Sequence, residues 1–211
     1  MTEETTQKEK EQTMENEIKI QAEIVSEDTC EFTVDRSVYP SGSVYFGSKE
    51  KAKGSPLPEA LFGIENVVGV LVSENVVKVT KSGYEDWMTV AKQIGTAIRT
   101  QLQSGVPAIS EAVKANLPPE DEIREKVQQL FDTEINPAVA QHGGHVDLVD
   151  VKGNVVYLQM GGGCQGCGMA DVTLKQGIEK AIRDLAPEVG DILDVTDHAG
   201  GRNPYYTPEK K

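Results

Sequence analysis

The spacing of apolar residues changes along the chain and divides it into two regions. Between residues 18 and 80, alternating apolar residues and β-branched runs are typical of strands, and residues 84–103 have a helical spacing. Residues 106–119 contain three prolines and no sustained period. Helical and strand spacings then alternate up to about residue 195. We therefore predict two small α+β domains, residues 18–105 and 120–198, joined by a linker.

The first predicted domain is rich in strand patterns. Period-two spacing predicts strands over residues 18–24 and 30–34, the first of them half-buried, and β-branched runs predict strands over residues 67–72 and 76–80. The residues between the last two strands have the composition of a hairpin turn, in which Asn75 is expected to take a positive φ. A mostly antiparallel sheet is therefore expected.

Helices are also expected in this region. Ser55 and Pro56 have the residue types of an N-cap and a first helical position. The short helix that follows is predicted to turn these side chains inward: Leu57, Ala60, Leu61 and Phe62. A longer helix over residues 84–103 has an apolar stripe that consists of Trp87, Val90, Ile94, Ile98 and Leu102. One more short helix is expected near residues 111–115, within the linker.

The second predicted domain begins with three acids at residues 120–122, which complement the positive end of a helix dipole. The inward stripe of this helix consists of Ile123, Val127, Leu130 and Phe131. Pro137 is expected to restart or kink it. Strands near 146–151 and 155–160, a helix over 169–186 and a last strand near 192–195 follow. The buried face of that helix is predicted to consist of Leu174, Ile178, Ala181, Ile182 and Leu185. The expected order is α-β-β-α-β.

Composition excludes several classes of partner. The formal net charge of −13, from 34 acidic and 21 basic residues, repels phosphate backbones, so no nucleic-acid partner is expected. Residues 1–17 lack the pattern of a secretory signal and resemble a disordered acidic tail, and residues 199–211 a flexible one. No apolar run reaches membrane-spanning length. Three cysteines are too few for a disulfide framework, which favours a cytoplasmic protein.

Cys164 and Cys167 stand at metal-ligand spacing in a glycine-rich run. The glycines at 161, 162, 163, 166 and 168 relax the steric limits on a tight turn and allow backbone N–H groups to approach sulfur. The N-terminus of the helix that follows favours thiolates. Two thiolates complete neither a tetrahedral thiolate site nor a cubane cluster, so further ligands must come from elsewhere.

Several alternatives remain open from the residues alone. His142 and His145 could complete a zinc site with the two cysteines, although two glycines at a helix end already explain that motif. A thiol–disulfide oxidoreductase would use Cys164 as nucleophile but has no His or Lys beside it in sequence. The two cysteines could also be buried without a ligand.

Other residues of chemical interest have simpler interpretations. Cys30 alternates with Phe32 and Val34 and is expected to be a buried small hydrophobe. Asp171 is expected to cap a helix, and His198 to lie on the surface.

Residues 134–194 closely resemble the C-terminal domain of NifU-like (Nfu) iron–sulfur cluster scaffold and carrier proteins. Three motifs carry this resemblance: His142–Gly143–Gly144–His145–Val146, Gly162–Gly163–Cys164–Gln165–Gly166–Cys167 and Asp171–Val172–Thr173–Leu174–Lys175–Gln176–Gly177–Ile178–Glu179. Residues 18–105 are similar, more loosely, to the N-terminal domain that accompanies this module in many Nfu proteins.

The resemblance implies a function that agrees with the ligand count. Nfu proteins hold a [4Fe–4S] cluster between two protomers, each of which donates one Cys-x-x-Cys pair, and transfer it to apo target proteins. Carried over to this chain, it implies that Cys164 and Cys167 are cluster ligands in a homodimer. It also implies an upstream scaffold as donor, apo iron–sulfur clients as acceptors, no membrane partner and no catalytic residue, so that the protein is not an enzyme.

Overall fold

The computed structural model describes residues 18–162 and 169–195, without the side chains of residues 41 and 169–173. In this part of the chain, the strands form two sheets, and each sheet packs with helices around its own hydrophobic core. The predicted α+β class is confirmed. We refer to residues 18–117 as the first unit and to residues 120–195 as the second unit. The domain bounds given above stay predictions.

The first unit contains a five-stranded antiparallel sheet in the order β1-β2-β5-β4-β3. Its strands are β1 (Ile20–Ile24), β2 (Thr29–Val34), β3 (Tyr39–Phe46), β4 (Val67–Glu74) and β5 (Val76–Lys81). The β-branched residues of β4 and β5 face both sides of the sheet, and most of them are buried. The sheet therefore needs a covering layer on each face.

Helices cover one face of this sheet. They are α1 (Pro56–Leu61), α2 (Trp87–Gln103) and α3 (Glu111–Ala115). The Asp86 carboxylate accepts a hydrogen bond from the Met88 N–H and caps α2, whose predicted stripe is buried except for a partly exposed Leu102. Burial of each large apolar side chain contributes about 1.5–3 kcal/mol.

Four details of the first unit differ from the sequence prediction. Strand β3 was missed, because Pro40 and Gly42 interrupt its pattern. Strand β1 lies at the sheet edge and is mostly exposed, not half-buried. Ala60 in α1 is exposed and Phe62 only partly buried, because the inward face consists of Leu57, Pro58 and Leu61. At the hairpin Glu74, not Asn75, takes the positive φ of 50°.

The predicted linker is partly packed. Ala108 and Ile109 are buried in the core of the first unit, and the Ser110 N–H donates to Ser55 Oγ at 3.1 Å. Ser55 stands at the N-cap of α1, but its side chain does not cap that helix. The short helix predicted near residues 111–115 is confirmed as α3. The chain segment that connects the two units is therefore shorter than residues 106–119.

The second unit contains a three-stranded sheet in the order β6-β7-β8, with β6 and β7 antiparallel and β7 and β8 parallel. Its elements are α4 (Glu120–Leu130), a π-helical turn (Phe131–Ile135), α5 (Asn136–Ala140), β6 (Gly144–Lys152), β7 (Val155–Gly162), α6 (Met169–Leu185) and β8 (Ile192–Asp194). The predicted order α-β-β-α-β and the inward stripe of α4 are confirmed.

Two local features of the second unit have physical causes. The kink expected at Pro137 is a π-helical turn just before it, because proline lacks the N–H that an α-helix would donate to the residue four positions earlier. The prediction for Leu185 is wrong: it is 43% exposed, whereas Ile178 and Ile182 are buried. Leu185 is the last residue of α6, and Ala186 takes the inward position after it.

Candidate functional site

The elements on either side of the cysteine pair are described, whereas residues 163–168, with Cys164 and Cys167, lie outside the described residues. Strand β7 ends at Gly162, and α6 begins at Met169. The pair is therefore confined to a six-residue connection between the central strand of the sheet and the helix that packs on it.

At the end of β7, Gly162 has a steric requirement for glycine. Gly162 has a φ of 65°, and a Cβ there would collide with the Gly143 carbonyl oxygen. A Cβ on Gly161 would collide with the imidazole of His145, which lies over this glycine from strand β6. Gly162 therefore has a steric reason that is separate from the cysteine turn, whereas a side chain at position 161 requires only that the exposed His145 ring turn away.

Helix α6 is held firmly at the other side of the connection. Ile178 and Ile182 are buried in the core, and the Lys175 Nζ lies 3.0 Å from Asp194 Oδ2 on β8. The positive end of the α6 dipole points toward the segment that precedes Met169. Thiolates or an anionic sulfur centre near this end are stabilised electrostatically. The side chain of Asp171, the predicted cap, lies outside the described residues, as does His198.

The two histidines of the zinc alternative are both exposed. His145 Nε2 lies 3.2 Å from Asp147 Oδ2, two positions along β6. Among the described residues, no group of three His, Cys, Asp or Glu side chains is arranged to hold a metal ion. This finding does not cover ligand sets that include Cys164 or Cys167, which lie outside the described residues.

Cys30 belongs to the core of the first unit. It is 1% exposed, and burial raises the pKa of its thiol to about 11. A thiol in this environment stays protonated at neutral pH and is a poor metal ligand. Its predicted burial is confirmed.

Sequence reasoning missed a polar group that joins the two units. Asn154 lies between the two strands predicted near 146–151 and 155–160, and its side-chain amide donates to the carbonyl oxygens of Ser43 at 2.9 Å and Glu188 at 2.7 Å. The local sequence indicates only that Asn154 lies in a turn, and there it takes a positive φ of 63°. A partner 111 positions away cannot be inferred from that signal.

Within the part of the chain that the structure describes, none of the helices has both the length and the apolar character needed to cross a membrane.

Comparisons with known proteins match both units. A family model described as a NifU-like domain matches residues 127–193, and one described as the N-terminal domain of scaffold protein Nfu/NifU matches residues 20–105.

Similar proteins and structures have been described. The Fe/S biogenesis protein NfuA of Pseudomonas aeruginosa (strain LESB58) is 52% identical over 85 residues, which are 40% of this chain and 44% of that protein. The protein of the same name from Pseudomonas savastanoi pv. phaseolicola is 51% identical over 88 residues, 40% of this chain and 45% of that protein. Each match therefore spans less than half of the relative. The solution structure of a NifU-like protein from Saccharomyces cerevisiae covers 46% of this chain and 87% of its own, with a TM-score of 0.41 and 17% identity.

Proposed function

Because the chain belongs to the NifU-like (Nfu) family, we propose that it is an iron–sulfur cluster carrier that holds a [4Fe–4S] cluster between two protomers. The ligands are Cys164 and Cys167 of each chain. One observation carries the proposal: the chain has three cysteines, and the third, Cys30, is buried in another core. One chain therefore offers two thiolates where a cubane needs four.

The surroundings of the pair suit this cargo. The N-terminus of α6 supplies positive potential to an anionic sulfur centre, and the glycines let backbone N–H groups approach the sulfur atoms. The flanking elements also support the proposal, because β7 ends at Gly162 and α6 begins at Met169, on either side of the cysteine pair in sequence.

Transfer to a client requires ligand exchange and no redox step. Each client thiolate that binds an iron atom displaces one carrier thiolate, so that the charge and oxidation state of the cluster are unchanged. Because each chain supplies two of the four thiolates, a client that has replaced the two thiolates of one chain lets that chain leave, and it then replaces the two thiolates of the other chain. No catalytic side chain takes part. An upstream scaffold supplies the cluster, and apo iron–sulfur proteins receive it.

Anaerobic reconstitution of the full chain tests the proposal. We expect about four iron atoms and four sulfide ions per two chains, with the mass of a dimer. Cys164→Ala and Cys167→Ala should each abolish binding, whereas the matched Cys30→Ala should keep the full cluster content. Iron and sulfide analysis of each variant, with the mass of the product, gives the answer.

Other results would contradict it. Zinc bound to a monomer and lost in His142→Ala or His145→Ala would support the structural zinc site. A reversible Cys164–Cys167 disulfide with turnover on protein substrates, and without iron binding, would support the oxidoreductase.

A further inference from the structure

One face of the first sheet is not covered by the helices of the first unit. In the strand register Tyr45 lies beside Leu71, Leu71 beside Lys78, and Lys78 beside Glu31, so these side chains share one face. Leu71 is only 2% exposed, although it belongs to neither hydrophobic core. We call this surface the polar face of the first sheet.

The second unit covers this face. The Arg183 guanidinium on α6 lies 4.0 Å from the centre of the Tyr45 ring, a cation–π contact. The Lys78 Nζ lies 3.5 Å from Asp191 Oδ1 and 3.9 Å from Glu31 Oε2. Asp191 is almost fully buried. Since a buried carboxylate without its cation is costly, Lys78 contributes to the union of the two units.

A second group of contacts lies beside the first. The Ser43 N–H donates to the Gly153 carbonyl oxygen at 3.0 Å, and the Asp191 N–H donates to Ser43 Oγ at 2.8 Å. The Asn154 amide donates to the Ser43 carbonyl oxygen. A Cβ on Gly190 would collide with Ser43, so the backbones touch without space for another side chain. We call both groups together the unit junction.

The pKa of Tyr157 also indicates that the two units are close together. Burial raises the pKa of Tyr157, and the negative charges of Glu74, Asp191 and Asp150 raise it further. Glu74 belongs to the first unit, whereas the others belong to the second. The segment between buried Ile109 and Glu120 is short, so the effective concentration of one unit near the other is high. A small interface is therefore sufficient to keep the two units docked.

The unit junction and the cysteine pair lie at opposite ends of the second unit. The junction includes Asn154 just before β7 and Arg183 near the end of α6, whereas the cysteines follow β7 and precede α6. The eight residues of β7 span about 25 Å at ~3.3 Å each. Along α6, the 14 steps from Met169 to Arg183 span about 21 Å at ~1.5 Å each. Two separate paths give the same separation.

We propose that the two units form one docked body through the polar face of the first sheet, and that a second copy of the chain meets this body at the opposite end. The first units then lie at the two outer ends of a cluster-loaded dimer and leave the cysteine connections free to meet. The docking rests on the contacts above, and the dimer arrangement rests also on the proposed function.

The docking is tested on the full chain without cluster. NMR relaxation should give one rotational correlation time for both units. Asn154→Gly, which keeps the left-handed backbone but removes the amide, and Lys78→Glu, which places a carboxylate against Asp191, should together give the two units separate and shorter correlation times.

Matched controls share the chemistry but lie away from the junction. Asn66→Gly is also at a left-handed position, with a φ of 65°, and Lys175→Glu reverses a lysine paired with Asp194 on β8. Both should keep a single correlation time. Separate correlation times in the wild-type chain would overturn the docking, and so would a single one in a folded double variant.

The dimer arrangement is tested on the loaded protein. A spin label on a genetically encoded, non-cysteine side chain at exposed Gln93 reports the distance between the two first units. In the proposed dimer the two second units lie end to end between the two first units. Their combined length predicts that the two spin labels are more than about 35 Å apart. A shorter separation in a dimer with one cluster would overturn the arrangement and leave the proposed function intact. Failure to bind iron and sulfide would overturn the proposed function, and the relaxation result would still decide the docking.

Discussion

At the end of β7, glycine is required at position 162 for a steric reason that does not involve a metal. Gly162 combines a left-handed backbone with contact to the Gly143 carbonyl oxygen, whereas Gly177 in α6 has open space where a Cβ would lie. Glycine is required at the first position and is merely tolerated at the second. The residue type alone does not distinguish these two cases.

Opposite effects on stability are therefore expected at these two glycines. Gly162→Ala should lower the free energy of unfolding by about 1–3 kcal/mol, because the backbone is strained and a collision must be relieved. Gly177→Ala should raise it by about 0.5–1 kcal/mol, since alanine is the better helix former. Urea denaturation of the apo protein measures both. Equal effects would contradict the steric explanation.

The buried thiol of Cys30 makes stability depend on alkaline pH. Its pKa is raised from 9.0 to about 11, chiefly by burial, so the folded state holds the proton more tightly than the unfolded state. The stability that this contributes is complete below pH 9 and is lost as the pH rises through about 11.

Cys30→Ala isolates this contribution from the other groups that titrate in the same range. The difference in unfolding free energy between wild type and variant should shrink between pH 9 and 11. A difference that stays constant over this range would show that the thiol ionises alike in both states.

At the scale of elements, helix α6 illustrates what periodicity can predict. Ile178 and Ile182 were placed inward correctly, because two well-packed turns define the buried face. Leu185 follows the same spacing but is exposed at the last residue of the helix, where the chain departs toward Ala186. Periodicity predicts a face but not where the packed layer ends.

Two alanine substitutions in α6 should therefore differ strongly. Ile182→Ala removes a fully buried side chain and should cost about 2–5 kcal/mol. Leu185→Ala removes a 43% exposed side chain and should cost less than about 1 kcal/mol. Thermal or urea unfolding measures the two costs, and similar costs would contradict the burial assignment.

Strand β3 marks another limit of sequence reasoning. Most strands and long helices have a pattern that burial on one face produces, and these were predicted. Strand β3 contains Pro40 and Gly42, which break the pattern, and it pairs through a bulge between Tyr39 and Ser43. Its place at the sheet edge comes from pairing with β4, and Ser43's contact with the second unit involves a residue more than a hundred positions away.

At the scale of the whole molecule, the two cysteines were predicted as candidate ligands because their spacing is local, whereas the unit junction was not predicted. Ser43, Asn154 and Asp191 are common polar residues whose role comes only from tertiary contact. The junction lies at one end of the second unit and the cysteine connection at the other. In the proposed carrier this arrangement would leave the end of the second unit that bears the cysteine pair to a second copy or a client.

Removal of the cluster should therefore dissolve the dimer without disturbing the junction. Stepwise iron chelation of the loaded protein is expected to lower cluster content and dimer fraction in proportion, because the proposed site takes four thiolates from two chains for one cluster. Mass photometry or light scattering gives the dimer fraction, and absorption and iron analysis give the cluster content. Correlation times of the released monomer should match those of protein that was never loaded. A dimer that persists after complete iron removal would mean that protein contacts, not the shared cluster, hold the two chains together.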